Sequence, residues 1–106
     1  MTRGEIWWAN LPAPWGRRPV VLLSRNEAYP LLTSVLAAPL TTRIRPIPTH
    51  IVLDPSEDDV PRPSAISLDN IQPVRKEWLD RLISELRPQK MREVDRAIHF
   101  VFGLTD

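Results

Sequence analysis

A mainly β fold of the α+β type, built as a small barrel or curled sheet with a C-terminal α-helix, is predicted by three observations. Five or six short apolar runs recur at roughly 10- to 15-residue spacing, the pattern of small barrels. Twelve prolines against three glycines are spread over 106 residues, and dispersed prolines break helices and punctuate short strands. Only the last third of the chain carries the three-and-four apolar spacing of an amphipathic helix.

The elements follow in order. Gly4 to Ala9 is a short aromatic-rich run stopped by Asn10-Leu-Pro, a first strand. Pro12-Ala-Pro-Trp-Gly-Arg-Arg-Pro19 has turn residues and no periodicity, so it predicts a loop. Val20 to Ser24 and Thr33 to Leu40 are continuous apolar runs, consistent with buried strands. Pro48 opens a strand that runs to Asp54, since proline is tolerated at a strand's first position. The acidic, proline-rich stretch from Asp54 to Pro63 predicts a surface loop. Ser64 to Leu68 and Ile71 to Val74 are two further strands, with Asp69-Asn70 between them. In Lys76 to Leu86 the positions of Trp78, Leu79, Leu82, Ile83 and Leu86 suit a helix on periodicity alone. From Pro88 onward Met91, Val94, Ala97, Ile98, Val101 and Phe102 mark the apolar face of a helix that Gly103 can end.

Residues 1–106 suffice for one domain with a modest core, and a multidomain enzyme is excluded. The absence of cysteine removes disulfides, thiolate metal sites and cysteine nucleophiles, and fits a reducing, cytoplasmic setting. Met1 to Asn10 has no basic segment leading into a long apolar run, and no stretch is apolar for the ~18 residues a bilayer requires. The net charge of +1 divides unevenly. Residues 1–50 hold six arginines against two glutamates, giving +4, while residues 51–106 hold eight basic and eleven acidic side chains, giving −3. Twelve of the fourteen basic residues are arginine, whose planar fork suits phosphate and stacks on bases. Arginine-favouring codons explain the same excess.

The chain has no phosphate-cradling glycine loop, no histidine and carboxylate set at metal spacing, and no glycine-flanked serine elbow. No metal or other cofactor is expected. Arg17-Arg18-Pro19 stands where a loop enters a buried strand, and Thr41-Thr42 where another leaves the core. If those strands are neighbours, a guanidinium and a hydroxyl meet beside a basic rim of Arg43 and Arg45. Such a site can bind a phosphodiester and stabilise charge developing on its oxygens. The alternative is a pair of solvated loop ends. His50 and His99 are the two side chains that titrate near neutrality unaided. Paired, they would suit a two-histidine ribonuclease, with His50, after Thr49 in a strand, facing an RNA groove; an exposed helical position is the simpler account of His99. Any of the four tryptophans could stack on an unpaired base, but in a small barrel Trp7, Trp8 and Trp78 are expected in the core, and Trp15, in a proline-rich loop beside Arg17, is the exception.

Gly4-Glu-Ile-Trp-Trp, Gly16-Arg-Arg-Pro-Val-Val-Leu-Leu-Ser24, Ala38-Pro-Leu-Thr-Thr-Arg43, Ile47-Pro-Thr-His50 and Val94-Asp-Arg-Ala-Ile resemble, in order, the MazF/PemK family of toxin endoribonucleases. The resemblance implies an SH3-like β-barrel with a C-terminal helix, usually a homodimer. It implies metal-independent, sequence-specific cleavage of single-stranded RNA, with the ribose 2′-hydroxyl attacking the neighbouring phosphate. The implied inhibitor is a cognate MazE-like antitoxin with an acidic, partly disordered tail. Carried over by motif, the catalytic arginine is Arg18 and the catalytic threonine Thr41. Trp15, Arg17, Thr42, Arg43, Arg45, His50, Asn70 and Gln72 become the expected RNA-contacting residues. The family pattern also makes Arg81 to Leu86 a strand, with a helical turn only near Lys76 to Asp80.

Two departures stand out. The loop Asn10 to Arg17 is shorter than in many relatives, and Asn70-Ile71-Gln72 stands where the family commonly has glutamine-isoleucine-arginine. Two other functions stay compatible with such a barrel: a non-catalytic toxin that inhibits DNA gyrase through its C-terminal helix, and a generic binding module. The ending Phe102-Gly-Leu-Thr-Asp106 suits nuclease and gyrase inhibitor alike.

Overall fold

The computed structural model describes residues 1–104; the last two positions of the ending just named lie outside the described residues. Seven strands form one antiparallel sheet: β1 (Glu5–Asn10), β2 (Arg17–Leu22), β3 (Ser34–Thr41), β4 (His50–Leu53), β5 (Ser64–Ser67), β6 (Gln72–Arg75) and β7 (Leu79–Glu85). A one-turn helix α1 (Pro55–Asp58) follows β4, and the long helix α2 (Pro88–Val101) closes the chain. The strand order is β4-β5-β3-β2-β1-β7, with β6 also on β3.

β3 organises the sheet. One edge pairs with β2, Val20 opposite Pro39 and Leu22 opposite Ala37. Its other edge takes β6 along Ser34–Ala37 and then β5 at Leu40 and Thr41. Two partners on one edge require the sheet to curl. The curl stops short of a closed barrel, because β4 and β7 end the strand order without pairing.

Curling buries both faces of the central strands, which is why they are continuous apolar runs and not alternating ones. Val20, Val21 and Leu22 are all at most 1% exposed. Val21 joins Ile6, Ala38, Leu40, Ile66 and the α2 residues Val94 and Ala97 in one core cluster. Val20 and Leu22 join Ala9, Val35, Ala37, Val74 and Leu79 in a second.

Five sequence expectations need correction. Pro48 does not open a strand: it and Thr49 form a turn, and β4 runs only from His50 to Leu53. Arg17, Arg18 and Pro19 are strand, not loop: Arg17 pairs with Asn10, Arg18 with Ala9 and Pro19 with Trp8. The connection shrinks to residues 11–16, which turn on Gly16 at φ +66°. The stretch Asp54 to Pro63 holds α1, whose first turn has Asp54 as N-cap and Pro55 behind it. Asp58 and Val60 there are buried, at 6% and 5% exposure. Phe102 lies beyond α2 and is exposed, off the apolar face.

Lys76 to Leu86 is not helical. A single 3-10 turn over Lys76–Trp78 leads directly into β7, so the strand also starts two residues before the family pattern places it. The helical spacing comes from bulges. Ala9 pairs with Leu79 but Trp8 with Arg81, leaving Asp80 as an extra residue, and Ile83 is skipped likewise between Trp7–Leu82 and Ile6–Ser84. An inserted residue turns a same-face step of two into a step of three. Leu79 and Leu82, opposite Ala9 and Trp7, therefore imitate a helix in sequence.

Candidate active site

At the end of the sheet where β2 begins and β3 ends, a recess of about 360 Å³ opens to solvent. Trp8, Arg17, Arg18 and Pro19 line one side, and Leu40, Thr41, Thr42, Pro61, Arg62 and Ser64 the other. The two expected catalytic residues, Arg18 and Thr41, are thus brought together because β2 and β3 are neighbours.

Arg18 is positioned by main chain. Its Nε donates to the Trp15 carbonyl at 2.8 Å, and Nη1 reaches the Leu40 carbonyl at 3.5 Å. The guanidinium carbon lies 5.2 Å from the centroid of the Trp15 ring. The remaining N–H groups of this half-buried fork are left for a ligand. Thr41 ends β3, and its Oγ1 accepts the Arg43 N–H at 3.1 Å. A hydroxyl that accepts in this way keeps its own proton to donate.

Arg17 has a different status. Its Nη1 donates to Asp80 Oδ2 and, at 3.0 Å, to Asn10 Oδ1. Asn10 Nδ2 in turn donates to the same Asp80 oxygen at 3.0 Å. The Arg17 guanidinium covers the Trp8 ring at 4.9 Å. The hydrogen bond from Arg17 holds the Asp80 carboxyl below its ordinary range, assisted by the Asn10 amide.

The other expected contacts are spread more widely. Trp15 packs on the second core cluster and touches the recess only through Arg18. Thr42 borders the recess, while Arg43 and Arg45 are exposed on the 42–49 connection. His50 Nδ1 accepts the Arg45 N–H at 3.1 Å, so the imidazole shapes that connection. Asn70 Nδ2 donates to Ser67 Oγ at 2.8 Å, and Gln72 Nε2 to the Asn70 carbonyl at 3.1 Å. None of these last five lines the recess. His99 is exposed on α2, as expected.

Two recess residues escaped the sequence reading. Trp8 is the one tryptophan that joins neither core cluster, since Trp7, Trp15 and Trp78 all pack on the second. It faces the recess because alternation along β1 turns it away from the face on which Trp7 and Ala9 pack. Arg62 is exposed and, among the described residues, has no carboxylate within 4.0 Å. Its only sequence signal was a place just before a strand, the same signal that singled out Arg18.

No helix among the described residues is long and apolar enough to cross a membrane. Residues 2–102 match the family model described as PemK-like, MazF-like toxin of type II toxin-antitoxin system. The chain is 43% identical over 96 residues to the probable endoribonuclease MazF5 of Mycobacterium tuberculosis, covering 91% of this chain and 87% of that one. It is similar to the solved Mycobacterium tuberculosis toxin MazF-mt6, with a TM-score of 0.86, 32% identity, and coverage of 96% and 99%. It is also similar to a mycobacterial endoribonuclease solved in complex with its cognate antitoxin, with a TM-score of 0.88, 26% identity, and coverage of 100% and 98%. With its sheet, its closing helix and nearly its whole length accounted for in this way, the chain belongs to the PemK-like, MazF-like toxins of type II toxin-antitoxin systems.

Proposed function

We propose that this chain is an endoribonuclease toxin that cuts single-stranded RNA at a short sequence without a metal ion. It acts in the cytoplasm as a homodimer and is held in check by a cognate antitoxin whose acidic tail competes with RNA. The observation that carries this reading is the anchored Arg18 fork facing the Thr41 hydroxyl across a solvent-open recess. Antitoxin control is supported by the solved relative that carries its cognate antitoxin.

The chemistry follows from the groups present. The ribose 2′-oxygen attacks the adjacent phosphorus as its proton passes to solvent water, the P–O5′ bond breaks, the leaving 5′-oxygen takes a proton from water, and the products are a 2′,3′-cyclic phosphate and a 5′-hydroxyl. Negative charge builds on the non-bridging oxygens as the attack proceeds. Arg18, always protonated, stabilises that charge and is a poor base. The Thr41 O–H donates to the same phosphate. Arg62 and Thr42 hold the flanking backbone, where a cation without a carboxylate partner binds phosphate by charge.

Incubating the wild-type chain with a long single-stranded RNA in excess EDTA is expected to give 5′-hydroxyl ends at one recurring short sequence, with Arg18→Ala cutting far more slowly. Strict dependence on added metal, or equal cutting by Arg18→Ala, overturns the proposal. The exposed Phe100, Phe102 and Leu104 at the end of α2 are what a partner-binding, non-catalytic toxin offers. A wild-type chain that inhibits gyrase and leaves RNA intact selects that second reading.

A further inference from the structure

We propose that Arg17 is a stacking platform for an unpaired base and not a phosphate ligand, so that it reads the RNA beside the cut. The inference rests on the endoribonuclease reading above. It starts from the bulge in β7, which turns Asp80 out of the ladder and toward β1. Bulges commonly re-aim a side chain in this way next to active sites. Asn10 and Arg17 are directly opposite each other on β1 and β2. Trp8, two residues before Asn10, projects from the same face. The four side chains therefore assemble on one face of three adjoining strands.

The arrangement satisfies the charge of Arg17 and fixes its plane. Asp80 neutralises it, and Nη1 serves two acceptors at once. A guanidinium already paired with a carboxylate has little attraction left for a phosphate, in contrast to Arg62. The inner face of the plane lies on Trp8 at 4.9 Å. The side chain is still 45% exposed, and with the inner face covered that exposure belongs to the outer face and edges. Flat guanidinium planes and aromatic rings are the surfaces on which splayed-out RNA bases stack. Trp8 and Arg17 together extend that surface to the lip of the recess where Arg18 and Thr41 stand.

The test is a cycle between protein and base. Binding is measured to a short single-stranded RNA that carries the mapped cleavage sequence, with a 2′-deoxyribonucleotide at the cut position so that it is not cleaved. Abasic sites are walked along it one position at a time. On the wild type, one abasic position beside the cut is expected to weaken binding about tenfold. Arg17→Ala is expected to bind the intact RNA about tenfold more weakly, to lose nothing further at that abasic position, and to keep the wild-type salt slope. Arg17→Tyr, which restores a flat surface without charge, is expected to regain most of the loss and its sensitivity to the abasic site. Thermal unfolding of both variants checks that the β1–β2 hairpin is intact. The inference is overturned if Arg17→Ala binds as tightly as wild type. It is also overturned if the loss is equal on every abasic RNA and the salt slope falls by about one, the signature of a phosphate contact. A wild-type chain that neither binds nor cuts single-stranded RNA overturns this inference together with the reading beneath it; normal cutting with no base-specific loss in Arg17→Ala overturns this inference alone.

Discussion

Arg18 takes its position from Trp15 twice over, lying on the indole ring at 5.2 Å and donating Nε–H to the same residue's carbonyl at 2.8 Å. Trp15 itself is tied to the second core cluster, so the fork is referenced to the core and not to a solvated loop.

Removing the ring is therefore expected to loosen Arg18 without removing its charge. Trp15→Ala should lower kcat about tenfold and change KM little, because the carbonyl acceptor survives the substitution. Arg18→Ala should lower kcat by about 10² to 10³, the loss typical when one donor to a developing oxyanion is deleted. Steady-state cleavage of a fluorogenic single-stranded RNA measures both.

Asp80 is expected to titrate below the ordinary aspartate range because Arg17 hydrogen-bonds it. Carbon-13 NMR of the carboxyl should show that low midpoint in the wild type and a rise toward the ordinary value in Arg17→Ala. Since the folded value is the depressed one, the contribution of the pair is complete above the ordinary pKa. It is lost as pH falls through the folded pKa.

Tyr29 offers an alkaline counterpart. Burial pushes its phenol up to about 12, and its O–H donates to the Ser24 carbonyl at 2.9 Å. The neutral form is the one the fold favours, so that stability is present below the ordinary value near 10 and is lost as pH rises from there toward 12. Tyr29 is the single tyrosine, so tyrosinate absorbance follows it directly. Urea unfolding between pH 9 and 11 should show the loss in the wild type and not in Tyr29→Phe. That variant should be about 1 kcal/mol less stable at neutral pH for want of the hydrogen bond.

Asp58 holds α1 in place. Its side chain is 2% exposed, accepting the Asp54 N–H at 2.8 Å and Arg87 Nη2 at 3.1 Å. Asp58→Ala removes the acceptor of the part-buried Asp54 N–H and the partner of Arg87, and is expected to cost about 2 kcal/mol in urea unfolding. Arg87→Ala should cost less, because that guanidinium is 45% exposed and its loss leaves the carboxylate its main-chain partner.

The strands with both faces buried were legible because their apolar runs needed no phase. β2 and β3 were placed with ends shifted by one to three residues. Proximity of Arg18 to Thr41 was legible from two strand ends and one assumption of adjacency. β7 was hidden on periodicity alone, since the residues inserted at Asp80 and Ile83 carry no composition signal, and the family pattern recovered the strand. The bulge that disguised the strand is also the one that presents Asp80 to Arg17. Trp8 and Arg62 were missed because their role depends on which face a pleat presents and where a loop returns, and neither is encoded locally.

The acceptors that hold Arg18, the carbonyls of Trp15 and Leu40, are main-chain atoms. No side-chain exchange at those two positions can remove them. What they record is the path of the chain, so the site tolerates rewording of residues 11–16 far better than respacing. One residue inserted between Leu11 and Gly16 carries the Trp15 carbonyl away from a fork that β2 holds fixed. In this chain, substitutions can then alter the side chains at the rim of the recess, while the length of this hairpin sets where the acceptor for Arg18 stands.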